Sequence, residues 1–179
     1  APFDSIRICM EKSRLLLVAQ KIGIPIPKTY FKKDIYVKTN NKKLVVKPIS
    51  ELSNQKVLYL TKSQLIDSKL INNENFLIQD YINGNGFGFF AIYDHGILKN
   101  FFMHRRIREN PPTGGSSVCA ESIFNQKLFN YGTKILDKLK WHGVAMVEFK
   151  QDSTSGEFYL MEVNPKFWAS HDLAIESGI

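Results

Sequence analysis

The chain has 179 residues, of which 44% are hydrophobic and 12% aromatic, a composition typical of a globular protein with a substantial core. It has no apolar run long enough for a membrane span or a signal peptide, so neither a membrane segment nor a membrane partner is expected. The net charge of +7 favours anionic partners, but the lysines are scattered and no nucleic-acid-binding motif is present. Cys9 and Cys119 fit free thiols in a reducing, cytoplasmic compartment.

The first predicted element is a helix from about Ile8 to Ile22, because its apolar residues recur at helical spacing. Lys12 falls within the apolar stripe, so its ammonium group either extends to solvent or reaches an anion in a cleft. Gly23 is predicted to end the helix, and Pro25 and Pro27 to keep the next segment extended.

Residues 44–48 are predicted to form a short buried strand in which Lys47 faces away from Leu44 and Val46, because side chains alternate along a strand. Antiparallel hairpins dominate the elements that follow, which favours the α+β class. In chain order these elements are a strand over 57–60, a helix from Thr61 to about Leu70, a strand over 76–82, a hairpin of 87–93 with 97–107, a helix over 124–139, a second hairpin and a last helix over 168–176.

A loop is predicted over residues 109–117, where two prolines precede two glycines. Glycines allow backbone N–H groups to approach an anion closely, and prolines stiffen the chain. The loop is therefore either an anion-binding element or an ordinary turn-rich connection.

The second hairpin, formed by residues 144–150 and 158–163, contains the most informative side chains. With the turn at its midpoint, Glu148 lies directly opposite Glu162, and Asn164 points to the same face. Directly opposed carboxylates have Cβ atoms about 4.5–5.5 Å apart and repel each other. A bound Mg²⁺, which takes oxygen ligands, would remove this repulsion. The alternatives are one carboxyl group with a raised pKa or a solvated polar face.

Six motifs in this order resemble the ATP-grasp superfamily, and within it the carbamoyl-phosphate-synthase-like ligases. The motifs are GIPIPKTY, VVKP, LIQDYINGNG, RRIRENPPTGGSS, VEF and MEVNPKFW. The resemblance covers nearly the whole chain and implies an α+β fold in which two subdomains with mostly antiparallel sheets clasp ATP. It divides the chain into a lead-in helix and linker (1–31), a small subdomain (32–80) and a large subdomain (81–179), with flanking domains in a longer protein.

The resemblance also implies a role for individual residues, each carried over from the matching motif. ATP would be the nucleotide, and Mg²⁺ the metal, with Mn²⁺ as its alternative. The implied residues are, by role, the phosphate contacts Lys12 and Lys47; the adenine contacts Gln79, Asp80, Tyr81 and Ile82; the metal ligands Glu148, Glu162 and Asn164; the catalytic cations Arg106 and Lys166; and the substrate contacts Arg105, Gly114, Gly115 and Ser116.

The reaction implied by the resemblance joins a small-molecule carboxylate to an amine through an acylphosphate. Such chemistry depends on positioning and charge neutralisation rather than on a protein nucleophile. Two departures favour an alternative, a nucleotide-binding module that is inactive or regulatory. Lys166 stands where arginine is more usual, and residues 49–56 contain Glu51 instead of the glycines of a phosphate-covering loop. A nucleic-acid-binding domain, suggested by net charge alone, is the third hypothesis.

Overall fold

A computed structural model describes residues 1–30, 34–35, 42–111 and 115–178 of the chain. These residues form helices and two antiparallel sheets, which confirms the predicted α+β class. Within the described ranges, no helix combines the length and the apolar character that crossing a membrane requires.

Groups of strands alternate with helices along the chain. The strands are β1 (Thr29–Tyr30), β2 (Leu44–Pro48), β3 (Leu58–Leu60), β4 (Phe76–Asp80), β5 (Gly84–Asp94), β6 (Ile97–Asn110), β7 (Ser116–Ser122), β8 (Gly143–Asp152) and β9 (Phe158–Asn164). The helices are α1 (Phe3–Met10), α2 (Lys12–Lys21), α3 (Lys62–Asp67), α4 (Gln126–Lys138) and α5 (His171–Glu176), with a 3₁₀ turn at Leu70–Asn72.

The smaller sheet has four strands in the order β1-β4-β2-β3. Leu44, Val46 and Ile78 lie on its covered face, where they form an apolar core with Leu65 of α3. Lys47 is buried on the other face, which lines a cavity. The alternation predicted for this strand is therefore confirmed, and it separates a purely apolar face from the face that carries a charge.

The larger sheet has five strands in the order β7-β6-β5-β8-β9. One face packs Phe89 and Val147 against Leu15 of α2 and Leu136 of α4 in the main apolar core. The opposite face carries polar side chains and contributes to the cavity that the four-stranded sheet also lines. The two sheets thus have separate cores and share one cavity.

The N-terminal helix is not continuous, which corrects the prediction of one helix from Ile8 to Ile22. The chain breaks at Glu11, whose φ and ψ of −118° and 100° are extended, so that α1 and α2 are separate. Glu11 instead forms a bridge with Ser50, and the Lys12 N–H donates to the Ile49 carbonyl at 2.9 Å. These tertiary hydrogen bonds offset the lost helical ones, and they bring residues 49–51 beside Lys12.

Strand β7 was not predicted, and it shortens the loop expected over residues 109–117. Glu109 and Asn110 pair with Ser117 and Ser116, so the ends of that segment belong to the sheet. Its serine-rich sequence, with an exposed Val118, lacks the apolar alternation of a half-buried strand. Several element ends also differ; for example, β4 stops at Asp80 instead of Ile82, and α5 begins at His171 instead of Trp168.

Candidate functional site

A cavity of about 670 Å³ is lined by residues of both sheets and contains most of the predicted site residues. Arg105 is outside it and forms an exposed ion pair with Glu121, 2.5 Å between Nη2 and Oε1. Gly114 and the Ser116 side chain lie outside the described part of the chain. The predicted residues that line the cavity are Lys12, Lys47, Gln79, Asp80, Tyr81, Ile82, Arg106, Gly115, Glu148, Glu162, Asn164 and Lys166.

The centre of the cavity holds Glu148 and Glu162, which are direct partners in the β8–β9 register, as predicted. The Asn164 amide Nδ2 donates to both carboxylates, at 3.2 Å to Glu148 Oε1 and 2.9 Å to Glu162 Oε1. The register shifts immediately afterwards, because Phe149 pairs with Leu160 and leaves Met161 as an extra residue in β9. Three oxygen-bearing side chains therefore form one cluster, which we call the acidic centre.

The two carboxyl groups of the acidic centre differ electrostatically. Burial, reinforced by the negative charge of Glu162, raises the pKa of Glu148 well above its usual range. Burial acts in the same direction on Glu162, but the Asn164 hydrogen bond and the charge of Lys12 outweigh it and lower the pKa of Glu162. The pKa values of the two carboxyl groups are therefore shifted in opposite directions.

Arg106 is the arginine of β6 that faces the cavity. Its Nη2 lies 2.5 Å from Glu148 Oε2, and its Nη1 lies 3.4 Å from Glu109 Oε1 and 3.4 Å from the Gly115 carbonyl. Because side chains alternate along a strand, Arg105 and Arg106 lie on opposite faces of the sheet, and Arg106 is the one that lines the cavity. The guanidinium thus connects the acidic centre with the β6–β7 connection.

Two buried lysines provide positive charge beside the acidic centre. The Lys12 ammonium is paired with the Glu51 carboxylate and lies 3.9 Å from Glu162 Oε2. Lys47 is only 7% exposed, and no described residue forms an ion pair with it. Burial lowers the pKa of Lys47 to about 8, with the nearby Glu162 charge opposing that effect. Lys47 is therefore a poorly solvated cation with no ion-pair partner in the part of the chain that the structure describes.

The strand end at residues 79–82 forms the aromatic end of the cavity. Gln79 is buried and donates from Nε2 to Thr29 Oγ1 at 2.9 Å, while Asp80 accepts from the Tyr30 hydroxyl at 2.8 Å. Both side chains therefore hold β4 against β1, and their polar groups are not directed at a ligand. Ile82 is different, because no described group accepts a hydrogen bond from its backbone N–H.

Tyr81 is held among aromatic and cationic groups at the same end. Its ring meets Tyr59 edge-on at 5.8 Å, and the ammonium groups of Lys43 and Lys150 lie 4.3 and 5.1 Å from its centroid. Lys150 also donates to the Ile82 carbonyl at 3.5 Å. This end of the cavity can therefore accept a flat ring beside the Tyr81 side chain.

At the opposite end of the cavity lie residues to which the sequence reasoning assigned no role. His104 is buried with Nδ1 3.0 Å from Ser170 Oγ, and its ring meets Phe90 edge-on at 4.6 Å. Trp168 stacks on Phe90 at 4.2 Å. His104 Nε2 and Trp168 Nε1 are buried without a hydrogen-bond partner among the described residues. The only signal for His104 was its period-two alternation with Arg106 along β6.

Glycine at position 88 allows this end of the cavity to form. Gly88 pairs with His104 on one side and with Glu148 on the other, so these residues share one row across the sheet. A Cβ atom at Gly88 would lie 2.3 Å from the Phe90 ring and 3.0 Å from His104 Nε2. The Phe90 ring therefore occupies the space above Gly88, between His104 and the acidic centre.

We expect His104 to make stability depend on pH. Burial, together with the charge of Arg106, lowers the pKa of His104 to about 4. The unfolded chain then binds the proton more tightly, so the neutral ring's contribution is complete above about pH 6.5 and is lost as the pH falls toward 4. In urea unfolding, wild type should lose about 2 kcal/mol more than His104→Gln between pH 7.5 and 4.5. His171→Gln is the control, because His171 is exposed, and this variant should behave like wild type. An equal loss of stability in wild type and His104→Gln would contradict the assignment.

Residues 9–170 match the family model of the ATP-grasp domain. Among solved structures, the L-amino acid ligase of Bacillus licheniformis has a TM-score of 0.70 and 16% identity, over 97% of this chain and 44% of that protein. The ATP complex of D-alanine–D-alanine ligase from Bacillus anthracis gives 0.65 and 21%, over 98% and 61%. The MgADP complex of the 2-oxoglutarate carboxylase biotin carboxylase domain from Hydrogenobacter thermophilus gives 0.69 and 16%, over 94% and 42%.

These comparisons agree on the fold and differ in the proteins' named activities. No curated protein matches the sequence significantly. The chain spans about half the length of the solved proteins it resembles. The match to the family model extends across both sheets, from α1 to the segment that follows β9.

Proposed function

Because the chain belongs to the ATP-grasp family, we propose that it forms the nucleotide-binding part of an ATP-dependent ligase that activates a small-molecule carboxylate. The observation that carries this proposal is the cavity itself, in which Lys12 and Lys47 lie beside Glu148, Glu162 and Asn164. Cations, carboxylates and an amide at one location suit a triphosphate and its counterion. Solved relatives that contain ATP or MgADP support the choice of nucleotide.

The acidic centre fits Mg²⁺ by donor chemistry, because its carboxylate and amide oxygens are the ligand type of a hard cation. The direct pairing of Glu148 with Glu162 across the β8–β9 ladder supports this, since two opposed carboxylates repel each other and a bound cation would relieve that repulsion. Asn164 presents Nδ2 to both carboxylates, so coordination through Oδ1 requires its amide to turn over. Mg²⁺ bound by these three residues, or Mn²⁺ in its place, would neutralise charge on the phosphate oxygens.

The proposed reaction transfers the γ-phosphoryl group of ATP to an oxygen of the carboxylate substrate, which forms an acylphosphate and releases ADP. An amine then displaces phosphate from the acyl carbon. The protein's part is to hold the reacting oxygens in line and stabilise their charge. Lys12 and Lys47 would hold the β- and γ-phosphates, and Arg106, now bound to Glu148, would move its charge toward the transferred group.

The adenine would bind at the end formed by Tyr81 and Ile82, where the Ile82 N–H has no acceptor among the described residues. The substrate carboxylate would bind at the other end, beside His104 and Trp168, whose buried nitrogens have no described partner. Lys166 also lines this cavity and is exposed, so it would assist from the solvent side. The nucleotide and the substrate would then meet over the acidic centre.

The second candidate, a nucleotide-binding module without ligase activity, is favoured by one contact. The Glu51 carboxylate is paired with Lys12 and occupies a place where a triphosphate would carry its own negative charge. Nucleotide binding must therefore displace the Glu51 carboxylate, or Mg²⁺ bound with the nucleotide must offset its negative charge. The two candidates share a binding site and differ in turnover.

Both candidates are tested by nucleotide binding followed by turnover. The melting temperature of the chain should rise with an ATP analogue only when Mg²⁺ is also present. Mg²⁺ is needed because it offsets the negative charges of the phosphates and of the carboxylates that line the cavity. A panel of carboxylates, with and without amines, is then screened for ADP release. Release that depends on both a carboxylate and an amine supports the ligase. Binding without any release supports the regulatory module, and an unchanged melting temperature contradicts both.

Replacing Glu51 by alanine should tighten Mg²⁺-ATP binding by about 5–10-fold, because a carboxylate near the phosphates is removed and Lys12 is released. The measurement is a calorimetric titration with a non-hydrolysable ATP analogue. Glu11→Gln is a matched control, because Glu11 precedes Lys12 in the chain but pairs with Arg14 and does not line the cavity. Weaker binding in Glu51→Ala would show instead that Glu51 helps to hold the cation.

A further inference from the structure

The β5–β6 turn meets the segment before β8 at a point distant from the cavity. Asp94 ends β5, His95 begins the turn, and His142 belongs to the facing segment. Asp94 is six residues along β5 from Gly88, the direct partner of Glu148, which corresponds to about 20 Å. None of the three residues lines the cavity. They form a second cluster of ligand-type side chains that the ligase proposal does not use.

We infer that Asp94, His95 and His142 form a binding site for Zn²⁺ or a similar transition-metal ion. One carboxylate oxygen and one nitrogen of each ring lie within 4.8 Å of one another. The Nδ1 atoms of His95 and His142 lie 2.7 and 3.7 Å from the same oxygen, Asp94 Oδ1. Ligand atoms around tetrahedral Zn²⁺ are about 3.3–3.5 Å apart, given bonds of about 2.0–2.1 Å. Small side-chain movements would therefore complete the coordination.

The backbone holds the two histidines in position. The Gly96 N–H donates to the Trp141 carbonyl at 2.8 Å, and the His95 N–H donates to His142 Nδ1 at 3.2 Å. Trp141 is completely buried and donates from Nε1 to the Val144 carbonyl, which anchors the segment that carries His142. The imidazole rings lie 4.2 Å apart. Since the framework is already assembled, little conformational entropy is lost when the ion binds.

The ion can reach the cluster, and one oxygen is available for it. The side chains of His95 and His142 are 82% and 48% exposed. Lys99 Nζ lies 3.7 Å from Asp94 Oδ2, so the lysine engages the oxygen that does not face the histidines. Binding would replace the His95–Asp94 hydrogen bond and the His95 N–H contact to His142, and these are the interactions that the ion must outcompete.

The donor set selects the class of metal. Two imidazole nitrogens and one carboxylate oxygen suit Zn²⁺, Cu²⁺ or Ni²⁺, whereas Mg²⁺ and Ca²⁺ prefer oxygen ligands alone. Three protein ligands leave a coordination position for water. The cluster therefore differs in chemistry from the acidic centre, whose donors are all oxygens, and it does not depend on the proposed ligase function.

The test is a calorimetric titration of the chain with ZnCl₂ in metal-free buffer at pH 7.5. We expect one Zn²⁺ per chain, and at least about 10-fold weaker binding in each of His142→Ala and His95→Ala. Mg²⁺ in large excess should not compete. The matched control is His171→Ala, because His171 is exposed and lies 3.0 Å from Asp172 but has no second histidine beside it.

A double variant, Glu148→Gln with Glu162→Gln, separates this site from the acidic centre and should bind Zn²⁺ like wild type. Substitution of Co²⁺ for Zn²⁺ should give the visible absorption of a four-coordinate ion, and His142→Ala should abolish it. The inference is overturned if no stoichiometric Zn²⁺ binding occurs, if His142→Ala binds as tightly as wild type, or if binding is lost in the double variant. The altered histidines are exposed, and thermal melts verify that each variant is folded.

Discussion

Replacing Glu162 by glutamine should lower Mg²⁺-dependent ATP turnover by about 10²–10³-fold, the usual effect of losing one preorganised electrostatic group. Although burial opposes it, the Asn164 hydrogen bond and the Lys12 charge lower the pKa of Glu162, which favours its ionised form. Glutamine keeps the shape of the side chain and can still accept the 2.9 Å hydrogen bond from Asn164. The loss should therefore appear in turnover, measured as ADP release, while the variant still folds.

The β8–β9 hairpin contains its own control for this substitution. Glu157 lies near the turn and pairs with Lys127 at 2.8 Å, outside the cavity. Glu157→Gln should therefore release ADP at the wild-type rate. The assignment of Glu162 fails if Glu162→Gln retains full Mg²⁺-dependent turnover, or if Glu157→Gln loses as much as it does.

The sequence predicted the acidic centre because a strand register depends on simple counting. Glu148 and Glu162 are equidistant from a polar turn, and alternation places Asn164 on the same face. The same counting cannot predict the bulge at Met161, since an extra residue changes which backbone groups bond without changing the apolar pattern. The bulge lies between the turn and the Glu148–Glu162 pair, so a centre at the middle of the polar segment gives this pair correctly but is one residue off for the pairs nearer the turn, such as Phe149 with Leu160.

The structural features that the sequence did not predict depend on contacts between segments far apart in the chain. The break at Glu11 exists because Ser50 offers a bridge to it, and neither segment carries a local signal for that pairing. The contact between Lys12 and Glu51 follows from the same docking. Alternation separated Arg105 from Arg106, but only the packing of the large sheet decides which of its faces meets the cavity. Tertiary hydrogen bonds here override helical propensity.

The buried charge of Lys47 should lower the stability of the chain on its own and strengthen the binding of a nucleotide. Burial lowers the pKa of Lys47 to about 8, so the protonated form destabilises the nucleotide-free chain. Lys47→Met should raise the unfolding free energy at pH 7 by about 2 kcal/mol. It should also weaken Mg²⁺-ATP binding by about 10²-fold, since a charge-assisted hydrogen bond to phosphate contributes about 1.5–3 kcal/mol. Stability and affinity would then change in opposite directions.

The pH dependence distinguishes a phosphate contact from a purely structural lysine. The wild-type chain should bind Mg²⁺-ATP more weakly as the pH rises through 8, because Lys47 loses its proton. Its stability should increase over the same range up to about pH 10, since the folded chain then binds fewer protons than the unfolded one. Lys47→Arg keeps its charge throughout and should bind without this decline. Titrations at pH 7 and pH 9 test both variants, and a wild-type affinity that is equal at the two values would remove Lys47 from the phosphate site.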